Sequence, residues 1–403
     1  MAADRNQNAT HALVLMEETE AKHTENREPT ENRPFFDRLP AVVREEWFLG
    51  VGLASSLAFL CFGKSLMGHL SNPLWLAFIF AWLFGAVLGS VLGVVRHADH
   101  LGARLGEPYG TLILTFTVTS IEVISISSVM LHGENNPTLV RDTLFAVVMI
   151  ILNGMVGLCL LVGGWRHREQ QYNLQGANAY LSLIIPLSVL SLILPNYTVT
   201  TAGPTLSWPQ EVFLALMTVG LYAVFLRIQT KRHRGYFTLN EVEDEHSSSP
   251  ECRRPLAAQI LLLVLYMAPV VYLAKRLAEP IDGLIEAAHA PAALGGITIG
   301  LLVVTPEALS AVHAARANRL QRSVNIFLGS VLATISLTVP SMIVISHLTG
   351  RNLALGLQNS DLVLLPLTLV LSIVTFSSGR TNVLQGAVHL LLFAAYLMLI
   401  FQR

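Results

Sequence analysis

Charge is scarce in this sequence. Of 403 residues, 26 are Lys or Arg and 27 are Asp or Glu, so charged side chains make up only 13%. A soluble domain carries about 25%, which argues against a soluble enzyme, a disordered protein or a coiled coil. Basic excess is missing too. The formal net charge is -1, whereas a nucleic-acid binder needs a positively charged face, so no nucleic-acid partner is expected. Cysteine is limited to Cys61, Cys159 and Cys252. These are far apart, form no CxxC pair and are odd in number, which excludes a disulfide framework and a cysteine metal site. Long segments of alternating polarity are absent, so a transmembrane barrel is not supported. What the chain has is apolar length. Hydrophobic residues make up 53% and the mean hydropathy is +0.55. The expected class is an all-α polytopic membrane protein.

Apolar runs long enough for a helix to cross hydrocarbon recur along the chain. Eleven are expected, at 47–66, 74–95, 110–131, 142–164, 178–195, 209–227, 256–274, 293–314, 323–347, 361–378 and 382–401. Residues 1–46 are polar and mixed in charge, without the short basic start and early apolar core of a signal peptide. They read as a cytoplasmic, disordered tail. Residues 47–66 form a lead transmembrane helix. Residues 67–227 form a first set of five helices and 256–403 a second. Between them, 228–255 is basic, then acidic and Ser-rich, then basic again, which reads as a solvated cytoplasmic linker.

Lys and Arg set the orientation, because cytoplasmic loops carry them in excess. With the N-terminus inside, the inner segments hold 20 of the 26 and the outer segments 6. An odd number of spans then places the C-terminus outside. A bacterial-type inner membrane is the default location, with the lipid bilayer as the surrounding partner.

The two halves repeat. GTLILTFTVTSIE spans 110–122 and GGITIGLLVVTPE spans 295–307, so a Gly precedes a Glu by twelve residues in each. On the following helices, Arg141 precedes Asn153 by twelve and Arg322 precedes Thr334 by twelve. Units with an odd number of spans insert with opposite orientation. Such inverted repeats place a binding site near the midplane, where the units meet.

Glu122 and Glu307 are the two carboxylates near the centres of their spans. Other candidates, Lys64, Asp142, Glu211 and Asp361, sit near span ends. A central charge costs at least ~2.5 kcal/mol on insertion scales and usually marks an ion or proton path. The plain alternative is a protonated Glu bonded between helices, but two at equivalent repeat positions favour a site. Around Glu122 lie Thr115, Thr119, Ser120 and Ser125, and around Glu307 lie Thr305 and Ser310. Pro306 lacks an N–H and frees the carbonyl of Leu302. Asn153 could add an amide oxygen, with Thr334 in its place in the second half. Asn153, Thr334, Ser120 and Thr305 are therefore candidate secondary ligands, although helix packing explains any one of them as well. Carboxylates with hydroxyl, amide and carbonyl oxygens suit a hard cation such as Ca2+. Burial favours the protonated carboxyl and a bound cation favours the ionised one. Two protons and one cation can thus compete for the same groups.

Other features carry less. His97, Asp99 and His100 of HADH read as a solvated inner loop rather than a metal site. His389 reads as a satisfied interior histidine. Glu241, Glu243, Asp244 and Glu245 lack the spacing of an EF-hand. Asp282 and Glu286 read as part of an outer loop. Gly85, Gly89 and Gly93 read as a helix-packing face. An intramembrane hydrolase would need a Ser with a His, paired Asp or a HExxH helix in the spans, and none is there. A passive channel would build its filter from rings of equivalent loops in an oligomer, so one chain with two inverted repeats favours a transporter.

The segments GEPYGTLILTFTVTSIEV, PTLVRDTLFAVVMI, LLVVTPEALSAVHAARANRLQRSVNIFLGSVLATISLTVP and SSGRTNVLQGAVHLLLFAAYL resemble bacterial calcium/proton antiporters of the ChaA type. These lie in the cation/proton exchanger branch of the calcium/cation antiporter superfamily. The resemblance runs from about Arg96 to the C-terminus. It implies one lead helix plus two inverted five-helix repeats, with Glu122 and Glu307 binding the exchanged cation and Asn153 and Thr334 as polar companions. It implies Ca2+ and H+ as substrates, no cofactor, and Na+/H+ or K+/H+ exchange as the alternative. The sequence departs from the Gly-Asn-Ala-Ala-Glu-His pattern of better-known exchangers, with TSIEVI around the first Glu and TPEALS around the second.

Overall fold

The structure, a computed structural model, describes residues 46–105, 109–131, 137–238, 255–291 and 293–402. The chain divides into Met1–Trp47 and Phe48–Arg403. The expected tail and the acidic part of the linker, including Glu241, Glu243, Asp244, Glu245 and Cys252, lie outside the described residues.

Among the described residues there are eleven helices. They are α1 (Trp47–Met67), α2 (Pro73–Leu105), α3 (Tyr109–Met130), α4 (Leu139–His167), α5 (Leu174–Asn196), α6 (Trp208–Arg232), α7 (Leu256–Ala287), α8 (Ala293–Arg316), α9 (Leu320–Thr349), α10 (Asn359–Thr375) and α11 (Val383–Ile400). All but α10 contain an apolar stretch long enough to cross a bilayer, and α10 is a shorter apolar helix. The protein is an all-α polytopic membrane protein, with α1 leading two sets of five helices.

Contacts between the connections show that they alternate between two faces. On the face where α6 ends and α7 begins, β1 (Gln170–Gln171) pairs antiparallel with β2 (Arg380–Thr381). There Gln170 Nε2 donates to the Ala315 carbonyl at 2.8 Å, and Asn325 Nδ2 donates to the Phe237 carbonyl at 2.7 Å. On the opposite face the α9–α10 connection is sewn to the α3–α4 and α5–α6 connections and to the last turns of α5. Ala354 N–H donates to Pro137 O, Gly356 N–H to Pro204 O and Leu357 N–H to Leu192 O. Alternation of these connections is what successive membrane crossings require.

Several expectations need correction. Helix α2 runs to Leu105, so His97, Asp99 and His100 are helical rather than in a loop. His97 is only 3% exposed and packs on the Tyr266 ring with centroids 5.4 Å apart. Helix α7 likewise runs to Ala287, so Asp282 and Glu286 are helical too. Hydropathy ends a span where charge begins, but α2 and α7 pack along each other over their length and continue beyond the apolar stretch. Gly93 makes this packing possible, because a Cβ there would collide with the Tyr266 ring. The first part of the expected linker is also structured. Helix α6 continues to Arg232, and Phe237 is buried against Tyr180 and Phe225. A solvated linker therefore cannot begin at residue 228. His389 is buried between Thr375 Oγ1, 2.9 Å from its Nε2, and Asn153 Oδ1, 3.3 Å from its Nδ1.

Two helices widen at matching places. Helix α4 has a π turn over Ile150–Met155 and α9 one over Thr334–Thr338. Pro340, just beyond the second, cannot donate to the Ser336 carbonyl, which removes one of the bonds that would hold a regular α turn. Such π turns inside α-helices are frequent at functional sites.

Candidate cation site

A cavity of about 260 Å³ lies between α2, α3, α5, α6, α8 and α9, and both Glu122 and Glu307 line it. Helical spacing builds its walls. Thr115, Val118, Thr119 and Glu122 form one face of α3, at the i, i+3, i+4 and i+7 positions that share a side. On α9 the lining residues Arg322, Asn325, Ile326, Gly329, Ser330, Ala333 and Thr334 follow the same rule over three turns.

The carboxylates meet α9. Glu122 is 2% exposed. Its Oε2 accepts hydrogen bonds from Thr334 Oγ1 at 3.0 Å and Thr338 Oγ1 at 2.8 Å. These donors are the first and last residues of the π turn, so the widened turn presents two hydroxyls to one oxygen. Glu122 Oε1 is buried and accepts no hydrogen bond among the described residues, which leaves an acceptor with no proton donor facing it. Glu307 is half-buried, and its Oε2 accepts from Ser330 Oγ. The two carboxyls are close enough to interact electrostatically. Tyr222 also lines the cavity, within electrostatic reach of Glu307.

The cavity has a polar end. Asp99 and Arg322 line it and are exposed, near the ends of α2 and α9 on the β1–β2 face. Beyond Glu122 in the other direction, Ser125, Val129, Leu277, Ile281, Ile299 and Leu302 enclose only about 10 Å³. Access to the carboxyls thus runs from the β1–β2 face, and the crevice of about 350 Å³ on the opposite side, beside Val123, Ser127 and Ile345, is lined by neither carboxylate.

Of the residues singled out from sequence, Glu122, Glu307, Thr334, Thr115, Thr119 and Ser310 line the cavity together. Three of the candidate secondary ligands do not. Ser120 donates to the Phe116 carbonyl at 2.7 Å and Thr305 to the Leu301 carbonyl at 2.5 Å; both satisfy backbone in their own helices, and neither lines the cavity. Asn153 is buried and donates to Thr368 Oγ1 at 2.9 Å while its Oδ1 faces His389. It also lies outside the lining, because its π turn packs on α11. Sequence reasoning missed Ser330 and Thr338. Both are four residues from Thr334, so the helical period about that residue was the signal that could have found them. It also set Asp99 aside as a loop residue, although Asp99 lines the cavity.

Residues 75–231 and 258–402 match the Sodium/calcium exchanger protein family. The chain belongs to that family. The exchanger is accordingly a secondary cation antiporter and not an enzyme. It is 47% identical to the putative ionic transporter y4hA of Sinorhizobium fredii, over 76% of this chain and 83% of that one. It is 42% identical to the sodium-potassium/proton antiporter ChaA of Escherichia coli, over 76% of this chain and 84% of that one. In fold it is similar to YfkE, a Ca2+/H+ antiporter, with TM-score 0.69 and 19% identity over 88% of this chain and all of that one.

Proposed function

We propose that this exchanger moves Ca2+ against H+ by alternating access, with Glu122 and Glu307 holding either the cation or protons. The observation that carries the reading is that carboxyls from equivalent positions of α3 and α8 line one cavity, where Thr and Ser hydroxyls converge on them. Two ionised carboxylates balance one divalent cation, and an all-oxygen donor set suits it. Two protons balance the same pair. The empty, doubly ionised site is the costly form to enclose away from water, so the loaded forms are the ones that cross. Ser330, Thr334 and Thr338 serve as polar companions. The two sets, 67–227 and 256–403, act as inverted units around this midplane site.

A second reading is exchange of Na+ or K+ for H+. The name of the Escherichia coli relative at 42% identity favours it, and the same oxygens can hold a monovalent cation beside one retained proton.

Purified protein in liposomes tests both readings. Under an imposed proton gradient, uptake of labelled Ca2+ that a protonophore abolishes supports the first. Uptake of Na+ or K+ without Ca2+ replaces it with the second. Uptake of none of the three removes the antiport assignment. We further place the N-terminus and the β1–β2 face in the cytoplasm and the C-terminus outside, in a bacterial-type inner membrane. Lys231→Cys should then react with impermeant maleimide only from the cytoplasmic side, and reaction from outside reverses the orientation.

A further inference from the structure

Arg141 and Arg322 occupy equivalent places, each twelve residues before the residue at the polar position of its helix, Asn153 or Thr334. Their surroundings are opposite. Arg141, toward the opposite face, is 3% exposed. Its Nε and Nη2 hold Asp142 Oδ1 at 2.9 and 2.8 Å, and its Nη1 donates to the Gly356 carbonyl at 3.0 Å. That carbonyl belongs to the α9–α10 connection, whose residues Leu353, Ala354, Leu355 and Leu357 are buried. Arg141 thus ties the start of α4 to the buried α9–α10 connection. Arg322, at the start of α9, stands exposed at the open end of the cavity. Where α4 reads Arg141-Asp142, α9 reads Arg322-Ser323, so its own helix supplies no adjacent carboxylate. The cavity mouth does: Asp99 of α2 lines the same opening and interacts electrostatically with Arg322.

We infer that Asp99 and Arg322 form the latch of the β1–β2 side, the counterpart of the Arg141–Asp142–Gly356 tie on the opposite side. When α9 moves to close the cavity, Arg322 draws onto Asp99 and the mouth shuts. The reason is charge and placement, since the two groups are of opposite sign and flank one opening. The two arginines are positioning residues and touch no cation. Because one partner of the α9 latch comes from a different helix, closure depends on α2 and α9 approaching each other, whereas α4 carries its Arg and Asp together.

The inference rests on the alternating-access reading, and its test needs no transport. A reporter, Val118→Cys, is placed on the cavity face of α3 in a chain whose three native cysteines are replaced. Impermeant maleimide is applied from the β1–β2 side without cation. Arg322→Gln and Asp99→Asn should each hold the mouth open and label about fivefold faster, the size of a partly exposed ion pair. The charge exchange Asp99→Arg with Arg322→Asp should return the rate toward that of the parent. Labelling of both single variants at the parent rate, or an exchanged pair no slower than the singles, overturns the latch. A latch also predicts that Asp99→Cys with Arg322→Cys, oxidised to a disulfide, blocks the reporter until reduced; free labelling of the cross-linked protein would refute it. Parent protein that labels as expected but exchanges no ion in liposomes sinks the antiport reading and leaves the latch standing.

Discussion

Glu122 and Glu307 hold matching places in two halves of one chain, yet they do not share an environment. Glu122 is buried with two hydroxyls on one oxygen and none on the other, while Glu307 is half-buried with a single hydroxyl. All three donors come from α9. Its counterpart α4 gives the cavity nothing, and its Asn153 is spent on Thr368 and His389. The difference shows that symmetry in sequence becomes asymmetry in any one conformation. With the cavity open toward one face, only one of the two equivalent polar helices addresses the carboxyls.

The strongest way to break this comparison is to neutralise its members. Glu122→Gln keeps the volume but removes the charge. Exchange in liposomes should fall at least about 100-fold, as expected when one partner of a buried charge pair is lost, with circular dichroism unchanged. Glu307→Gln should do the same, and normal exchange in either variant removes that residue from the site. Next come the hydroxyls on Glu122. Thr334→Val with Thr338→Val should weaken cation binding about ten- to hundredfold, because each hydrogen bond to a charged group contributes ~1.5–3 kcal/mol and a bound cation, by neutralising Glu122, offsets about half of the two together. Calorimetric titration with Ca2+ measures it. Ser330→Ala should weaken binding less, about threefold, since water can replace one donor beside the half-buried Glu307. An equal loss in the two cases would mean that the burial difference between the carboxylates has no consequence for binding. The smallest effect on binding belongs to Asn153→Ala. It should cost ~1–3 kcal/mol of stability by stranding buried partners, read as a lower melting temperature, while cation affinity stays within about twofold. A large loss of affinity would return Asn153 to the site.

How much of this was legible in the amino-acid order depends on the kind of signal. A span is a local property: enough apolar residues in a row must be helical in lipid, because each backbone polar group needs a partner there. The eleven helices could therefore be read, as could Glu122 and Glu307, whose charge stands out against apolar neighbours. Helix ends could not. Asp99 and His97 look like loop residues because charge ordinarily ends a span, and only the packing of α2 on α7 keeps them helical. Ser120 and Thr305 illustrate the opposite limit. A hydroxyl one or two residues from a carboxylate in sequence lies about 100° or 200° around the helix from it, and both turn to the backbone of their own turn instead.

By itself the sequence determined the membrane class, the number of crossings, the repeat and the pair of carboxylates, since each follows from composition or from spacing along one helix. The tertiary structure alone decided which hydroxyls reach those carboxylates, that Asn153 faces away, and that the cavity opens on the β1–β2 face. Those facts depend on the register and tilt of separate helices packed side by side, and contacts between segments about 200 residues apart are set by that packing rather than by any local pattern.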